Sequence, residues 1–312
     1  MKKIEMVDLR GQYQKIQSKV DDSVLKTINS ASFINGPQVK SFQKHLEKYL
    51  RVKHVIPCAN GTDALQIALM ALDLKPGDEV ITPDFTYAST IEVILLLGLT
   101  PVLVDIDIDT FNIDVSGIKN AITSKTKAII PVHLFGQVAS MNKILEIAQE
   151  NDLYIIEDNA QSLGSNFTFK DGSKKKAGTI GHIGTTSFFP SKNLGAYGDG
   201  GAIFTEDDDL AHTLRGIVNH GMYVRYYHDL VGVNSRLDSI QASILDIKLD
   251  YLDDYNNSRC IAASKYNLRF KDQSNIITPI RVGERDSHVF HQYTLRILNR
   301  KRDELVKYLN DR

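Results

Sequence analysis

Short apolar runs alternate with helical segments along the first two hundred residues, and this alternation constrains the fold more than any other feature. Strand–helix alternation predicts an α/β fold with a mainly parallel sheet that helices cover on both faces. The predicted strands are His54–Cys58, Glu79–Pro83, Pro101–Asp105, Lys127–Val132, Leu153–Glu157, Thr185–Phe189 and Ala202–Thr205, with helical patterns at 62–72, 86–97, 114–122 and 140–151 between most of them.

Helical patterns also lie on either side of this region. One is predicted at 11–31, and another begins after Gly36 with Pro37 in its first turn. Beyond Glu206 we expect helices at 206–219, 236–255 and 257–270, a strand-like segment at Val289–Leu298 and a last helix at Arg302–Leu309. We therefore expect a large domain over 1–250 and a smaller α+β domain over 251–312. Because nothing follows the last helix to cover its far side, we expect the small domain to be truncated.

The composition limits the compartment and the partners. The 312 residues carry a net charge of −1, which gives no electrostatic reason to expect nucleic acid or an anionic membrane as a partner. Two cysteines form neither a disulfide framework nor a metal-ligand spacing. The stretch from Met1 to Asp8 lacks the apolar run that is typical of a signal peptide, and the longest apolar run, Val93–Leu97, is too short to cross a bilayer. We expect a cytoplasmic protein.

Two polar motifs follow predicted strands, where ligands of open α/β sheets gather. In the first, Gly61 and Thr62 begin a helix whose amide groups could bind a phosphate, although a simple capped helix has the same pattern. In the second, Glu157 and Asp158 close an apolar strand. Asp158 could hold a proton on a bound heterocycle or ligate Mg²⁺, and a solvated strand end or helix cap is an equal alternative.

The strongest single signal is Lys192, which a predicted strand delivers into a glycine-rich loop. Five glycines lie within eighteen positions around it: 184, 195, 198, 200 and 201. Such a loop is tightly folded, and a lysine held inside it can lose its proton and add to a carbonyl.

Together these residues predict a site for pyridoxal phosphate. That cofactor needs a phosphate cradle, a lysine and an acid beside its pyridine nitrogen, which Gly61 and Thr62, Lys192 and Asp158 respectively provide. A Walker-type motif is absent, and no cluster of residues has zinc spacing.

The motifs also resemble those of the DegT/StrS family of nucleotide-sugar aminotransferases. The matching stretches are Asn60–Leu65, Pro76–Ser89, His133–Gln137, Glu157–Gly164, Ser187–Thr205 and Val233–Leu249. The resemblance implies the fold-type I architecture of aspartate aminotransferase, with pyridoxal phosphate as the cofactor.

The resemblance assigns roles to individual residues. It implies that Lys192 forms a Schiff base with the cofactor, that Asp158 pairs with the pyridine nitrogen, and that Gln161 binds the ring hydroxyl. Tyr87 would stack on the ring, and Gly61, Thr62 and Ser187 would bind the phosphate. Asn234 would reach the cofactor phosphate of the neighbouring subunit, which implies a homodimer with shared active sites. Arg236 would meet an anionic group of the substrate, although a salt bridge at a helix N-terminus explains it equally well.

The resemblance implies amino transfer from glutamate to a keto-sugar nucleotide, with Lys192 moving the proton. The nearest branch acts at C3 of UDP-linked 3-keto-N-acetylglucosamine uronates, for cell-surface polysaccharides such as the O-antigen of lipopolysaccharide. Alternatives are dTDP-linked 3-keto or UDP-linked 4-keto deoxy sugars, or a non-catalytic regulator or scaffold of the same fold. A sugar dehydratase of this fold has a histidine in place of the lysine, so Lys192 argues against it.

Overall fold

The secondary structure is built around one large sheet and three small hairpins or strand pairs. The structure is a computed structural model that describes residues 5–311. The strands are β1 (His54–Cys58), β2 (Glu79–Pro83), β3 (Thr100–Val104), β4 (Thr126–Ile129), β5 (Tyr154–Asp158), β6 (Asn166–Thr168), β7 (Lys174–Lys176), β8 (Ile183–Ser187), β9 (Gly201–Thr205), β10 (Met222–Val224), β11 (Tyr227–His228), β12 (Ile276–Ile277) and β13 (Arg296–Ile297).

Ten α-helices surround these strands within the described part of the chain. They are α1 (Leu9–Ser30), α2 (Pro37–Leu50), α3 (Gly61–Ala71), α4 (Ser89–Leu96), α5 (Val115–Ala121), α6 (Met141–Asn151), α7 (Asp208–Ile217), α8 (Ser239–Leu249), α9 (Leu252–Phe270) and α10 (Arg302–Asn310).

The large sheet has seven strands in the order β1-β9-β8-β5-β4-β2-β3. The five strands from β8 to β3 are parallel, whereas β9 and β1 join by antiparallel pairing. The prediction of a mainly parallel α/β sheet is therefore confirmed. Because β5 and β8 run in the same direction, with Asp158 opposite Thr185, their carboxyl ends place the two central polar motifs at one edge.

Helices cover both faces of this sheet. Neighbouring strand residues point to opposite faces, and Ile155 and Ile156 of β5 accordingly belong to different apolar clusters. The cluster around Ile156 contains side chains of α3, α4 and α7, whereas the cluster around Ile155 contains side chains of α5 and α6. A third cluster packs α2 and α8 against β1 and β9. The middle of β5 is thus buried among apolar side chains, and the polar residues at the carboxyl ends of β5 and β8 lie at the edge of the core.

Most of the predicted elements are present with shifts of a few residues, but one prediction is wrong. The segment Val289–Leu298 is not a strand: only β13 within it is extended and paired, with β12. Its first part is bound instead to a distant loop, because Val289 N donates to Gly136 O at 2.9 Å and Gln292 N donates to Phe135 O at 3.3 Å. Phe290 also takes a positive φ of 48°, which interrupts an extended chain.

Smaller features complete the comparison with the sequence. The break between the helices expected over 236–255 and 257–270 lies a few residues earlier, since α8 ends at Leu249 and α9 begins at Leu252. The hairpins β6–β7 and β10–β11 were not predicted. Within residues 5–311, none of the helices combines the length and the apolar character that a bilayer span requires. The division into domains at residue 250 stays a prediction.

Candidate active site

A cavity of about 560 Å³ lies at the carboxyl ends of the parallel strands. Its position is the one expected for ligands of an open α/β sheet. Seven of the nine predicted site residues line it: Gly61, Thr62, Tyr87, Asp158, Gln161, Ser187 and Lys192. Residues from four separate segments of the chain therefore meet in one place.

Lys192 lies in the loop 188–200, between β8 and β9. Lys192 N donates to Phe189 O at 2.8 Å, and Ala196 N donates to Phe188 O at 2.7 Å, so the loop folds back on itself. Burial lowers the pKa of the Lys192 ε-amine, and the charge of Asp158 partly opposes this shift. The neutral amine is the nucleophilic form, and at a given pH a larger fraction of Lys192 is therefore neutral than of a solvated lysine.

Asp158 ends β5 and is 6% exposed. Its Oδ2 accepts a hydrogen bond from Thr90 Oγ1 at 3.0 Å, and its Oδ1 accepts one from Ala160 N at 3.1 Å. These two bonds fix the plane of the carboxylate. The Asp158 carboxylate therefore has a fixed orientation and lines the cavity, where its charge acts to raise the pKa of Lys192.

A fully buried pair behind Asp158 holds the end of β5 in place. Glu157 accepts hydrogen bonds from three backbone amides, those of Gly178, Ile180 and Gly181. Its Oε2 also lies 2.8 Å from His133 Nε2, while His133 Nδ1 accepts from Ala139 N. His133 is absent from the cavity wall, and these contacts give it a structural role.

Gln161 presents its amide group to the cavity. Its Oε1 accepts a hydrogen bond from Phe135 N at 2.7 Å, which leaves the Nε2 group as a donor. Tyr87 is 71% exposed and also lines the cavity. A planar ligand in the cavity could stack on the Tyr87 ring and accept a hydrogen bond from the Gln161 amide.

The start of α3 forms an anion cradle. Asn60 caps the helix by accepting from Asp63 N at 2.8 Å, so the earlier amides of Gly61 and Thr62 precede the helical hydrogen-bond ladder. A Cβ atom at Gly61 would lie 2.7 Å from Ser187 Cβ. Only glycine therefore permits this close approach of α3 and β8.

The two remaining predicted residues lie outside this cavity. Arg236 lines a second cavity of about 240 Å³, together with the cationic residues Lys40 and Arg215. Asn234 forms an isolated β-bridge with Asn219. Within the described chain, the structure does not bring either residue to Lys192.

Two residues at or beside the cavity were not indicated by the sequence. Thr90 orients Asp158, and His291 lines the wall near Lys192. Burial lowers the pKa of His291 to about 3, and the charges of Lys192 and Arg259 act in the same direction, so its imidazole is neutral near pH 7. His291 belongs to the segment that was expected to be a strand. Its location depends on the bonds of that segment to residues 135–136, which no local pattern reveals.

Comparison with known proteins identifies relatives along nearly the whole chain. The sequence model of the DegT/DnrJ/EryC1/StrS aminotransferase family matches residues 14–312. The chain is 46% identical over 298 residues to the UDP-2-acetamido-2-deoxy-3-oxo-D-glucuronate aminotransferase of Pseudomonas aeruginosa, covering 96% of this chain and 81% of that protein. It is 45% identical over 310 residues to a pleiotropic regulatory protein of Geobacillus stearothermophilus, covering 99% and 81% respectively.

Solved structures give the same result. The crystal structure of NtdA from Bacillus subtilis, with bound cofactor PMP, superposes with a TM-score of 0.90 at 32% identity. The match covers 100% of this chain and 70% of that chain. The fold-type I architecture expected from the sequence is thus confirmed.

Proposed function

The chain belongs to the DegT/DnrJ/EryC1/StrS aminotransferase family, and we propose that it moves an amino group from glutamate to C3 of a UDP-linked 3-keto-N-acetylglucosamine uronate. The protein is a nucleotide-sugar aminotransferase that uses pyridoxal phosphate. The choice of sugar rests on the P. aeruginosa relative, whose activity is on a UDP-linked 3-oxo-glucuronate. The enzyme would act in the cytoplasm, and its product would be a precursor of a cell-surface polysaccharide.

The residues of the cavity fit the cofactor. The glycine at position 61 lets the start of α3 lie against Ser187. A phosphate at this place can accept hydrogen bonds from the first amides of the helix. Gln161 retains an amide donor for the ring hydroxyl, because its oxygen is already bound to Phe135 N. Asp158 is fixed by Thr90 and Ala160 in an orientation suited to a pyridine nitrogen. The NtdA structure with PMP supports the same chemistry on this fold.

The bound cofactor supplies an electron sink for the carbanion that forms at the substrate carbon. Lys192 would hold the cofactor covalently before the reaction and serve as the base afterwards. Its lowered pKa favours the neutral amine, which can take a proton from the substrate carbon and return it. Asp158 would hold a proton at the ring nitrogen, which keeps the ring able to withdraw electrons.

The residues outside the cavity support a homodimer. Neither Asn234 nor Arg236 lines the cavity of its own chain, and we infer that both complete the site of a partner subunit. Asn234 would then contact the cofactor phosphate there, and Arg236 would meet the uronate or the diphosphate of the sugar nucleotide. Electrostatic attraction by Arg236 would favour a substrate with this additional negative charge.

One observation carries the proposal: a desolvated lysine and an oriented, buried aspartate face the same cavity. A scaffold that only shares the fold has no need to keep a lysine amine with a lowered pKa beside such a carboxylate. The G. stearothermophilus relative has the name of a regulatory protein, but this chain has the lysine and the aspartate that amino transfer requires.

A screen of keto-sugar nucleotides tests the proposal. The purified protein is incubated with pyridoxal phosphate, glutamate and, in separate reactions, UDP-linked 3-keto uronate, dTDP-linked 3-keto and UDP-linked 4-keto deoxy sugars. Mass spectrometry should show that the uronate is converted to its amino sugar at the highest rate, while glutamate is converted to 2-oxoglutarate. The Lys192→Ala variant should form neither product. A higher rate on another sugar would refute the substrate assignment. Failure to convert glutamate at all would support the scaffold alternative.

A further inference from the structure

A fully buried lysine contacts the loop that carries Lys192. Lys248 is on α8 and is 1% exposed. Its Nζ donates a hydrogen bond to Gly195 O and lies 5.1 Å from the centroid of the Tyr197 ring. Both partners belong to the loop 188–200. The side chain therefore connects a core helix directly to the segment whose shape determines where Lys192 points.

Lys248 is an unusual choice for this position on energetic grounds. Burial of the amine lowers its pKa to about 8, and no ion pair of Lys248 occurs within residues 5–311 to offset the loss of hydration. A methionine would fill a similar volume without placing a charge in the core. The compensating contacts that Lys248 does make are a charge-assisted hydrogen bond and a cation–π contact, and both hold the same loop.

Two other polar side chains bind this loop from the same side. Gln241 of α8 accepts from Tyr197 N at 2.8 Å and donates to Tyr197 O at 3.4 Å. Asn256 of α9 accepts from Asn193 Nδ2 at 2.5 Å and donates to Leu163 O at 3.1 Å. The loop is therefore fixed at residues 193, 195 and 197, all within five positions of Lys192. Lys248 makes the central one of these three contacts.

We propose that Lys248 is a positioning residue for Lys192. By binding the Gly195 carbonyl and the Tyr197 ring, it keeps the loop 188–200 in the shape that directs the Lys192 amine into the cavity. The inference rests on the proposed function, because it assumes that Lys192 is the point of cofactor attachment. It assigns to Lys248 no contact with the cofactor or with the substrate.

The Lys248→Met variant tests this role, and Lys176→Met is its matched control. Lys176 Nζ donates to Gly164 O at 3.2 Å and lies 4.7 Å from the Tyr49 ring centroid, so it makes the same two kinds of contact without touching the loop 188–200. For each protein we would measure the free energy of unfolding, the dissociation constant of pyridoxal phosphate and the yield of borohydride-reducible label at Lys192.

We expect both variants to lose stability, and only Lys248→Met to bind the cofactor more weakly. Loss of one buried hydrogen bond that orients the attachment point corresponds to an increase of about tenfold in the dissociation constant. The yield of label at Lys192 should fall in parallel, and Lys248→Arg, which keeps a donor and a charge, should restore part of the affinity. Unchanged affinity in Lys248→Met, or an equal loss in both methionine variants, would overturn the proposal.

A second variant covers the possibility that Lys248→Met does not fold. Gln241→Met removes two hydrogen bonds to Tyr197 and leaves Lys248 in place, so it loosens the same loop. Its dissociation constant for pyridoxal phosphate should rise several-fold, and an unchanged value would count against a positioning role for α8. The wild-type measurement separates the two hypotheses. If the wild type is not labelled at Lys192, the proposed function fails, whereas normal labelling with insensitive variants refutes only the role of Lys248.

Discussion

At the residue scale, two lysines show how the loss of hydration affects a charged amine: Lys248 is fully buried and Lys192 is half-buried. Burial lowers the pKa of both Lys192 and Lys248. For Lys192 the consequence is chemical, because the neutral amine can attack a carbonyl. For Lys248 the consequence is structural, because its amine binds the Gly195 carbonyl and the Tyr197 ring, which both belong to the loop that holds Lys192.

The lowered pKa of Lys248 predicts a pH dependence of stability. The pKa is about 8 in the folded protein and 10.5 in a free lysine, so between these values the unfolded chain binds more protons and folding becomes more favourable as the pH rises. The pKa of the facing Tyr197 is raised by burial, so its hydroxyl stays neutral over most of this interval.

Urea unfolding of the apoprotein from pH 7.5 to 10.5 measures this effect, with Lys248→Met as the reference that removes the titrating group. The free energy of unfolding of the wild type, relative to that of the variant, should rise with pH by up to about 3 kcal/mol. A difference that is constant or falls over this interval would contradict the assigned direction of the shift.

The sequence identified some of these residues and not others, for physical reasons. Lys192 and Asp158 follow buried strands, and glycines surround Lys192, so local patterns were sufficient. Lys248 lies in a helix among polar and apolar neighbours and resembles an ordinary surface lysine in the sequence. Thr90 has its hydrogen-bond partner 68 positions away, and such a pair has no local signature. Gln161 was indicated only by the family resemblance, because its own partner lies 26 positions away.

At the scale of single elements, the cap of α3 links helix stability to ligand binding. Asn60 accepts a hydrogen bond from Asp63 N and orders the turn whose next amides belong to Gly61 and Thr62. The Asn60→Ala variant should lose about 1 kcal/mol of stability and also bind pyridoxal phosphate more weakly. Denaturant unfolding and a binding titration measure the two effects.

The cap of α7 provides the control for this prediction. Asp207 likewise caps its helix by accepting hydrogen bonds from Asp209 N and Leu210 N, and neither it nor α7 lines the cavity. The Asp207→Ala variant should lose a similar amount of stability and keep its affinity for pyridoxal phosphate. Equal weakening of cofactor binding in both variants would show that the cap of α3 has no special relation to the phosphate.

The seven strands of the large sheet were predictable because buried parallel strands are short apolar runs between helical patterns. The segment at 289–298 misled the prediction because it also contains β-favouring residues. Its backbone partners lie about 150 positions earlier in the chain, at Phe135 and Gly136. Contacts at such separation override local propensity and cannot be deduced from the segment itself.

At the scale of the whole molecule, the role proposed for Asn234 predicts active sites that are shared between two subunits. If Asn234 completes the site of the partner, a Lys192→Ala subunit and an Asn234→Ala subunit should complement each other. In a hybrid dimer, one site combines an intact Lys192 with an intact Asn234. Mixing the two inactive proteins under conditions of subunit exchange should therefore restore up to about a quarter of wild-type activity.

The same mixing experiment can refute the shared site. Each variant alone should stay below the mixed sample, and mixing either variant with itself should change nothing. If every site is formed by one chain, then mixed subunits stay as inactive as the separate variants. The sequence could predict this arrangement only through the family resemblance, because no pattern within one chain reports which residues face a second copy.

The central claim is that the Lys192 amine holds pyridoxal phosphate, and borohydride reduction followed by peptide mapping tests it most directly. The holoenzyme is reduced, digested and analysed by mass spectrometry. The account predicts a single phosphopyridoxyl label, on the peptide that contains Lys192, and none in protein first treated with an excess of glutamate. A label on another lysine, or no label at all, would contradict it.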